Sequence, residues 1–142
     1  MEFIPEHIHP IIVHFPIALF VTALGLQVAS LILKKESLHS AAILIYVLAT
    51  CVAPFVVWTG LEEAEHLNLV SHPVLNLHRR FALITLWGSL ATLPVLWFLK
   101  RRNVRNFQMI FLLVVIVIAF SVSITAYHGG RMVYEYGVGV EE

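Results

Sequence analysis

Apolar residues in this chain do not recur at every third or fourth position; they run on without interruption. Four windows, 10–33, 40–61, 81–99 and 107–127, contain no Asp, Glu, Lys or Arg. Each is close to the roughly 20 residues that carry a helix across a hydrocarbon core. Within lipid a backbone satisfies its polar groups only as a helix or a closed barrel, and these windows lack the strict alternation of barrel strands. The pattern therefore predicts an all-α fold: a transmembrane four-helix bundle, up-down-up-down, with spans at about 10–33, 40–61, 78–99 and 107–128 in a single membrane domain over 1–142.

Composition strengthens this reading. With 59% hydrophobic and 13% charged residues and a mean hydropathy of +0.86, the chain has too few polar groups to clothe a water-soluble globule. Its start is acidic and has no basic segment before the first apolar run, so that run is expected to be a retained span and not a cleaved signal.

The net charge of zero hides a strong asymmetry. Six of the nine Lys and Arg residues, Lys34, Lys35, Lys100, Arg101, Arg102 and Arg105, fall in the links 34–40 and 100–106. In a four-span chain these links share one face, and the excess of positive charge makes that face cytoplasmic. Both termini are then on the outer face, with Arg79, Arg80, Arg131 and eight of the nine acidic residues. The basic link needs no nucleic-acid partner to explain it.

On this map seven of the eight histidines, His7, His9, His14, His66, His72, His78 and His128, lie at the outer face or in the first turns beneath it; only His39 is opposite. A single imidazole can rest at an interface as Trp and Tyr do. Titratable groups within a span are costly unless something partners them, so a cluster on one side reads as a candidate site. The stretch 9–16, HPIIVHFP, stands at the entry of the first span. Pro16 removes the donor for the Ile12 carbonyl, so the helix is expected to loosen around His14.

The segments 9–15 and 72–81 echo each other weakly, each opening with His-Pro and closing on a second histidine before Phe. Such an echo describes two repeated hairpins, with His14 and His78 entering from the same face on diagonal helices. Arg79 and Arg80 follow His78 directly, and guanidinium forks suit carboxylates such as haem propionates. Glu63 and His66 have the E-x-x-H spacing of di-iron bundles, but spans three and four carry no carboxylate to complete such a site. The lone Cys51 can form neither an internal disulfide nor a C-x-x-C-H haem attachment, and is read as packing. His128 precedes Gly129 and Gly130, which let another group approach the backbone.

The segments HPIIVHFPIAL (9–19), TGLEEAEH (59–66), HRR (78–80) and HGGRMVYEYGVGV (128–140) resemble a bacterial family of four-span inner-membrane proteins without an assigned function. Its members open on a pattern like HPxxVHFPIAL and close on a histidine, a glycine pair and LVYxxGVG. The resemblance covers nearly the whole chain. It implies His14, His78 and His128 as pattern positions; His66 is less typical, and Met132 stands where leucine is usual. Some relatives look fused to cytochrome c modules, which implies redox work at the outer face.

Haem b fits these residues. It needs no covalent cysteine, takes neutral imidazoles as axial ligands and leaves burial and tuning to the protein. The expectation is one or two haems, held by His14 with His78 and by His66 with His128, with Arg79 and Arg80 on the propionates. The chain would pass electrons between the quinol pool or a membrane partner and an external acceptor such as a c-type cytochrome or a larger redox complex. A zinc or copper site on the same imidazoles is the first alternative, and a structural membrane subunit the second. No nucleotide loop, activated nucleophile or protease-type zinc motif is present, which favours an electron-transfer subunit over a stand-alone enzyme; an oligomer is compatible with the pattern. Single cysteines placed in 100–106 of a Cys51→Ala chain should react with a membrane-impermeant thiol reagent only after the cells are opened. Labelling of intact cells would reverse the orientation.

Overall fold

The computed structural model describes residues 8–66, apart from the His66 side chain, and 73–138; His7 and His72 lie outside the described residues. All regular structure in the described residues is helical: α1 (Ile8–Ile12), α2 (His14–Leu33), α3 (Glu36–His66), α4 (Pro73–Arg101) and α5 (Phe107–Tyr134). The first two make one span, so four helical segments are long and apolar enough to cross a membrane.

The division between α1 and α2 falls at Val13. Its backbone stays helical, at φ −60° and ψ −25°, and its N–H still reaches the His9 carbonyl at 2.9 Å. Pro16 supplies no N–H for the Ile12 carbonyl, and the expected loosening is confined to this one step. Pro54 and Pro94 lie inside α3 and α4 without ending them. The helices outrun the charge-free windows because residues such as Glu62, Glu63 and Glu65, or Lys100 and Arg101, extend them as helical ends.

Helices α2 and α3 are joined by Lys34 and Lys35. Lys34 adopts a left-handed conformation, φ 52°, that caps α2, and the Lys35 N–H also reaches the Ser30 carbonyl, at 3.1 Å. The short turn makes the pair antiparallel neighbours. Around the bundle α2 packs on α3 and α5, and α4 packs tightly on α5 but loosely on α3; α2 and α4 are diagonal. Ala23, Ala42 and Ala49, all buried, let α2 and α3 come close. At mid-bundle Phe20, Tyr46 and Phe111 meet edge to face, with centroids 5.5 Å apart for Phe20–Tyr46 and 5.6 Å for Tyr46–Phe111. Large apolar side chains such as Ile32, Trp87, Leu113 and Phe120 face outward, as lipid requires.

Buried polar groups tie the helices across their faces. The Tyr46 hydroxyl donates to Thr92 Oγ1 at 2.6 Å, and the Thr85 hydroxyl donates to Ser121 Oγ at 2.9 Å. At the lysine end Gln27, fully buried, accepts from His39 Nδ1 at 2.7 Å and donates to the Gln108 carbonyl at 3.0 Å, joining α2, α3 and α5. Replacing Gln27 by leucine leaves the buried His39 Nδ1–H without its partner and takes one donor from the Gln108 carbonyl, a loss of about 1–3 kcal/mol. Reversible unfolding in detergent should register it, while Thr22→Leu on the exposed face of α2 should shift stability by less than about 0.5 kcal/mol.

Candidate functional site

The buried positions of α2 are Pro16, Phe20, Ala23, Gln27 and Ser30, in steps of three and four. Carried back through Val13, the same stripe reaches His9, which turns toward the bundle interior. His14, Ala18, Val21, Gly25, Val28 and Ile32 form another stripe, and every one of them is exposed. The phase of one helix thus decides which imidazole enters the interior.

His9 leans across onto α3. Its Nδ1–H donates to the Val56 carbonyl at 3.1 Å and to Thr59 Oγ1 at 3.2 Å. The Thr59 hydroxyl spends its own hydrogen on the Val56 carbonyl at 2.9 Å, which leaves its oxygen as an acceptor for the ring. The imidazole lies directly over Gly60: a Cβ there would fall 2.7 Å from His9 Cε1 and 3.0 Å from Nε2. Glycine is what lets the ring rest on the helix.

His78, on α4, repeats the device against α5. Its Nδ1–H donates to the Thr125 carbonyl at 2.8 Å, and a Cβ at Gly129 would lie 3.3 Å from the ring. The two imidazoles have centroids 6.4 Å apart and planes at 88°. They flank a cavity of about 160 Å³ with Arg79, Glu65, Thr85 and Thr125 among its polar lining and aliphatic side chains such as Val57 and Leu75 for the rest.

With both Nδ1 atoms committed as donors, both Nε2 atoms carry lone pairs. That is the tautomer that ligates a metal, and the Nδ1 bond to a carbonyl is the usual means of orienting such a ligand. Two imidazoles on opposite sides of one metal, each at about 2.0–2.1 Å, put their centroids on the order of 6 Å apart. The observed separation is of that size. Glu63 lies close enough to His9, and His128 to His78, for their charges to interact.

The remaining sequence-derived candidates divide around this centre. His14 is exposed, so the expected pairing with His78 is not the one the fold brings together; His9 takes that place because of the helix phase. His128 is outside the cavity wall, its ring centroid 5.4 Å from that of Tyr127, and its Nδ1 is buried without a hydrogen-bond partner among the described residues. The His66 half of the expected His66–His128 pair falls outside the described side chains. Arg79 and Arg80 are both exposed, and of the two only Arg79 is part of the cavity wall. Among the described residues no group of three or more His, Cys, Asp or Glu is arranged to hold a metal ion. Beyond the centre, a hydrogen bond from Arg131 holds the Glu135 carboxyl below its usual range.

His9 had a signal in the chain itself. Gln27 and Ser30 mark the polar interior stripe of the first span, and counting back by threes and fours leads to His9 and away from His14. The contacts of His9 and His78 with glycine yield a graded test. Gly60→Ala should displace the His9 ring and broaden or shift its imidazole NMR signals strongly, Gly129→Ala should move His78 less, and Gly25→Ala, with nothing within 4 Å, should move neither.

Residues 5–142 match the family model described as Predicted membrane protein (DUF2231). Neither a curated protein nor a solved structure matches the chain. The match takes in all four spans and both facing histidines, and the chain belongs to this family of predicted membrane proteins.

Proposed function

We propose that this protein is a membrane b-type cytochrome in which His9 and His78 are the axial ligands of one haem. The observation that carries the reading is the facing pair of imidazoles, each fixed through Nδ1, each with Nε2 free, and 6.4 Å apart between centroids. A porphyrin brings its own nitrogens, so two protein ligands complete the iron; a bare ion asks for three or four. When bound, the haem supplies reversible one-electron chemistry. Donation from Nδ1 to the Val56 and Thr125 carbonyls raises the basicity of both ligands and fixes their planes. Arg79, in the cavity wall, is the fork available to a propionate. A haem held by His9 and His78 together would have no position left for substrate and would serve electron transfer.

The Lys/Arg bias argues for a site under the periplasmic surface of a bacterial inner membrane. Electrons would come from the quinol pool or a membrane partner and leave to an external acceptor such as a c-type cytochrome. One observation favours a second reading. At about 160 Å³ the cavity is smaller than the roughly 300–1,000 Å³ of pockets that enclose drug-sized ligands, and a single zinc or copper ion on the same two imidazoles, its other positions taken by water, suits that volume.

The visible spectrum of the purified protein separates these readings. Haem predicts a Soret band, with α and β bands that sharpen on dithionite. His9→Ala or His78→Ala should lower bound haem at least tenfold, while His14→Ala should retain it. A colourless protein with stoichiometric zinc or copper would replace the first reading by the second; neither pigment nor metal would refute both.

A further inference from the structure

A second cavity, about 310 Å³, lies at the opposite end of the bundle, between the α2–α3 turn and the start of α5. Its wall is made by Ser30, Leu31, Lys34, Lys35, Glu36 and Gln108. The length of α2, 20 residues or on the order of 30 Å at 1.5 Å per residue, separates it from the histidine pair, and it plays no part in that site.

The wall is fixed from behind. Lys34 is held in its left-handed cap by the bond from its N–H to the Ser30 carbonyl, and the Ser30 hydroxyl donates to the Gln27 carbonyl at 2.8 Å. The Gln108 side-chain amide donates to Glu36 Oε2 at 2.8 Å, while its main-chain carbonyl accepts from Gln27 at 3.0 Å. Gln27 is itself held by His39. The position of the Glu36 carboxylate and the turn bearing both lysines are therefore tied to the buried network that joins three spans.

The consequence is a polar cavity with charges of both signs, two ammonium groups and one carboxylate, at the depth where a span meets the headgroup layer. Ile32, Leu33 and Met109, chain neighbours of its wall residues, are exposed and apolar. Basic pockets between spans are sites for lipid headgroups, and a simple anion would meet Glu36 unfavourably. We propose that this cavity binds a zwitterionic phospholipid headgroup, phosphoethanolamine, with its phosphodiester on Lys34 and Lys35 and its primary ammonium on the Glu36 carboxylate. Charge-assisted hydrogen bonds at both ends give the preference. A glycerol headgroup offers Glu36 no cation, and a choline headgroup offers a cation without an N–H.

Binding of phosphatidylethanolamine, phosphatidylglycerol, phosphatidylcholine and inorganic phosphate to the delipidated full chain in detergent, read by native mass spectrometry, tests the assignment. Phosphatidylethanolamine should bind at least tenfold more tightly than either other lipid. Lys34→Gln with Lys35→Gln should lower that binding at least tenfold, and Glu36→Gln should erase the preference for ethanolamine over glycerol. All three side chains are exposed, so circular dichroism should show unchanged helix content and keep these variants interpretable. Equal binding of the three lipids, a preference for glycerol or choline, insensitivity to the lysine changes, or inorganic phosphate binding as tightly as the lipid would each overturn the proposal.

Discussion

Two imidazole N–H groups, each donated to a carbonyl on a helix other than its own, set the geometry of the histidine end of this bundle. His9 joins the first span to α3 and His78 joins α4 to α5, so each tightly packed helix pair holds one ring. The rings meet across the diagonal of the bundle, beside the seam between α3 and α4, which is the loosest contact around it. A bond that merely fastened the helices could have used either nitrogen. The use of Nδ1 twice leaves the two Nε2 atoms available to something between them.

Glycine makes this arrangement possible. An imidazole brought this close to a neighbouring helix leaves little room for a Cβ, and Gly60 and Gly129 stand where His9 and His78 approach α3 and α5. At the other end of the bundle the interior is closed by amides and aromatic rings: Gln27 and His39 bridge three spans, and His39 is packed edge-on against Phe107 and Phe111 at 5.6 and 5.7 Å. That end is thus a polar knot whose cavity lies outside it, among the exposed Lys34, Lys35 and Glu36, whereas at the histidine end the cavity reaches in between two half-buried imidazoles. That contrast localises the candidate site independently of any charge argument about which side of the membrane each end occupies.

Much of the architecture was legible in the chain, because a lipid solvent leaves few choices. Continuous apolar windows dictate helices, and Pro16 dictated a loosened step that the fold confines to Val13. The identity of the inward-facing histidine was harder to read. His9 and His14 are five residues apart, which on a helix places them on different faces, and motif resemblance favoured His14 while the Gln27–Ser30 stripe favoured His9. Pairings across the bundle also depend on which face of α3 and α5 carries an exposed carbonyl or a glycine at the right height, and no periodicity in one segment encodes that. His78 was marked in the chain by the weak echo of 9–15 in 72–81 and by the HRR motif; the role of Thr125 and Gly129 in seating it emerges only from the packing of α5.

The proposed function requires that His9 and His78 present their Nε2 atoms to a single shared centre. Nitrogen-15 NMR of histidine-labelled protein, recorded before and after loading with haem or metal, tests it most directly. The account predicts that both rings carry their proton on Nδ1 in the unloaded protein and that both Nε2 resonances shift together on loading. A ring protonated on Nε2, or a response confined to one of the two histidines, would contradict it.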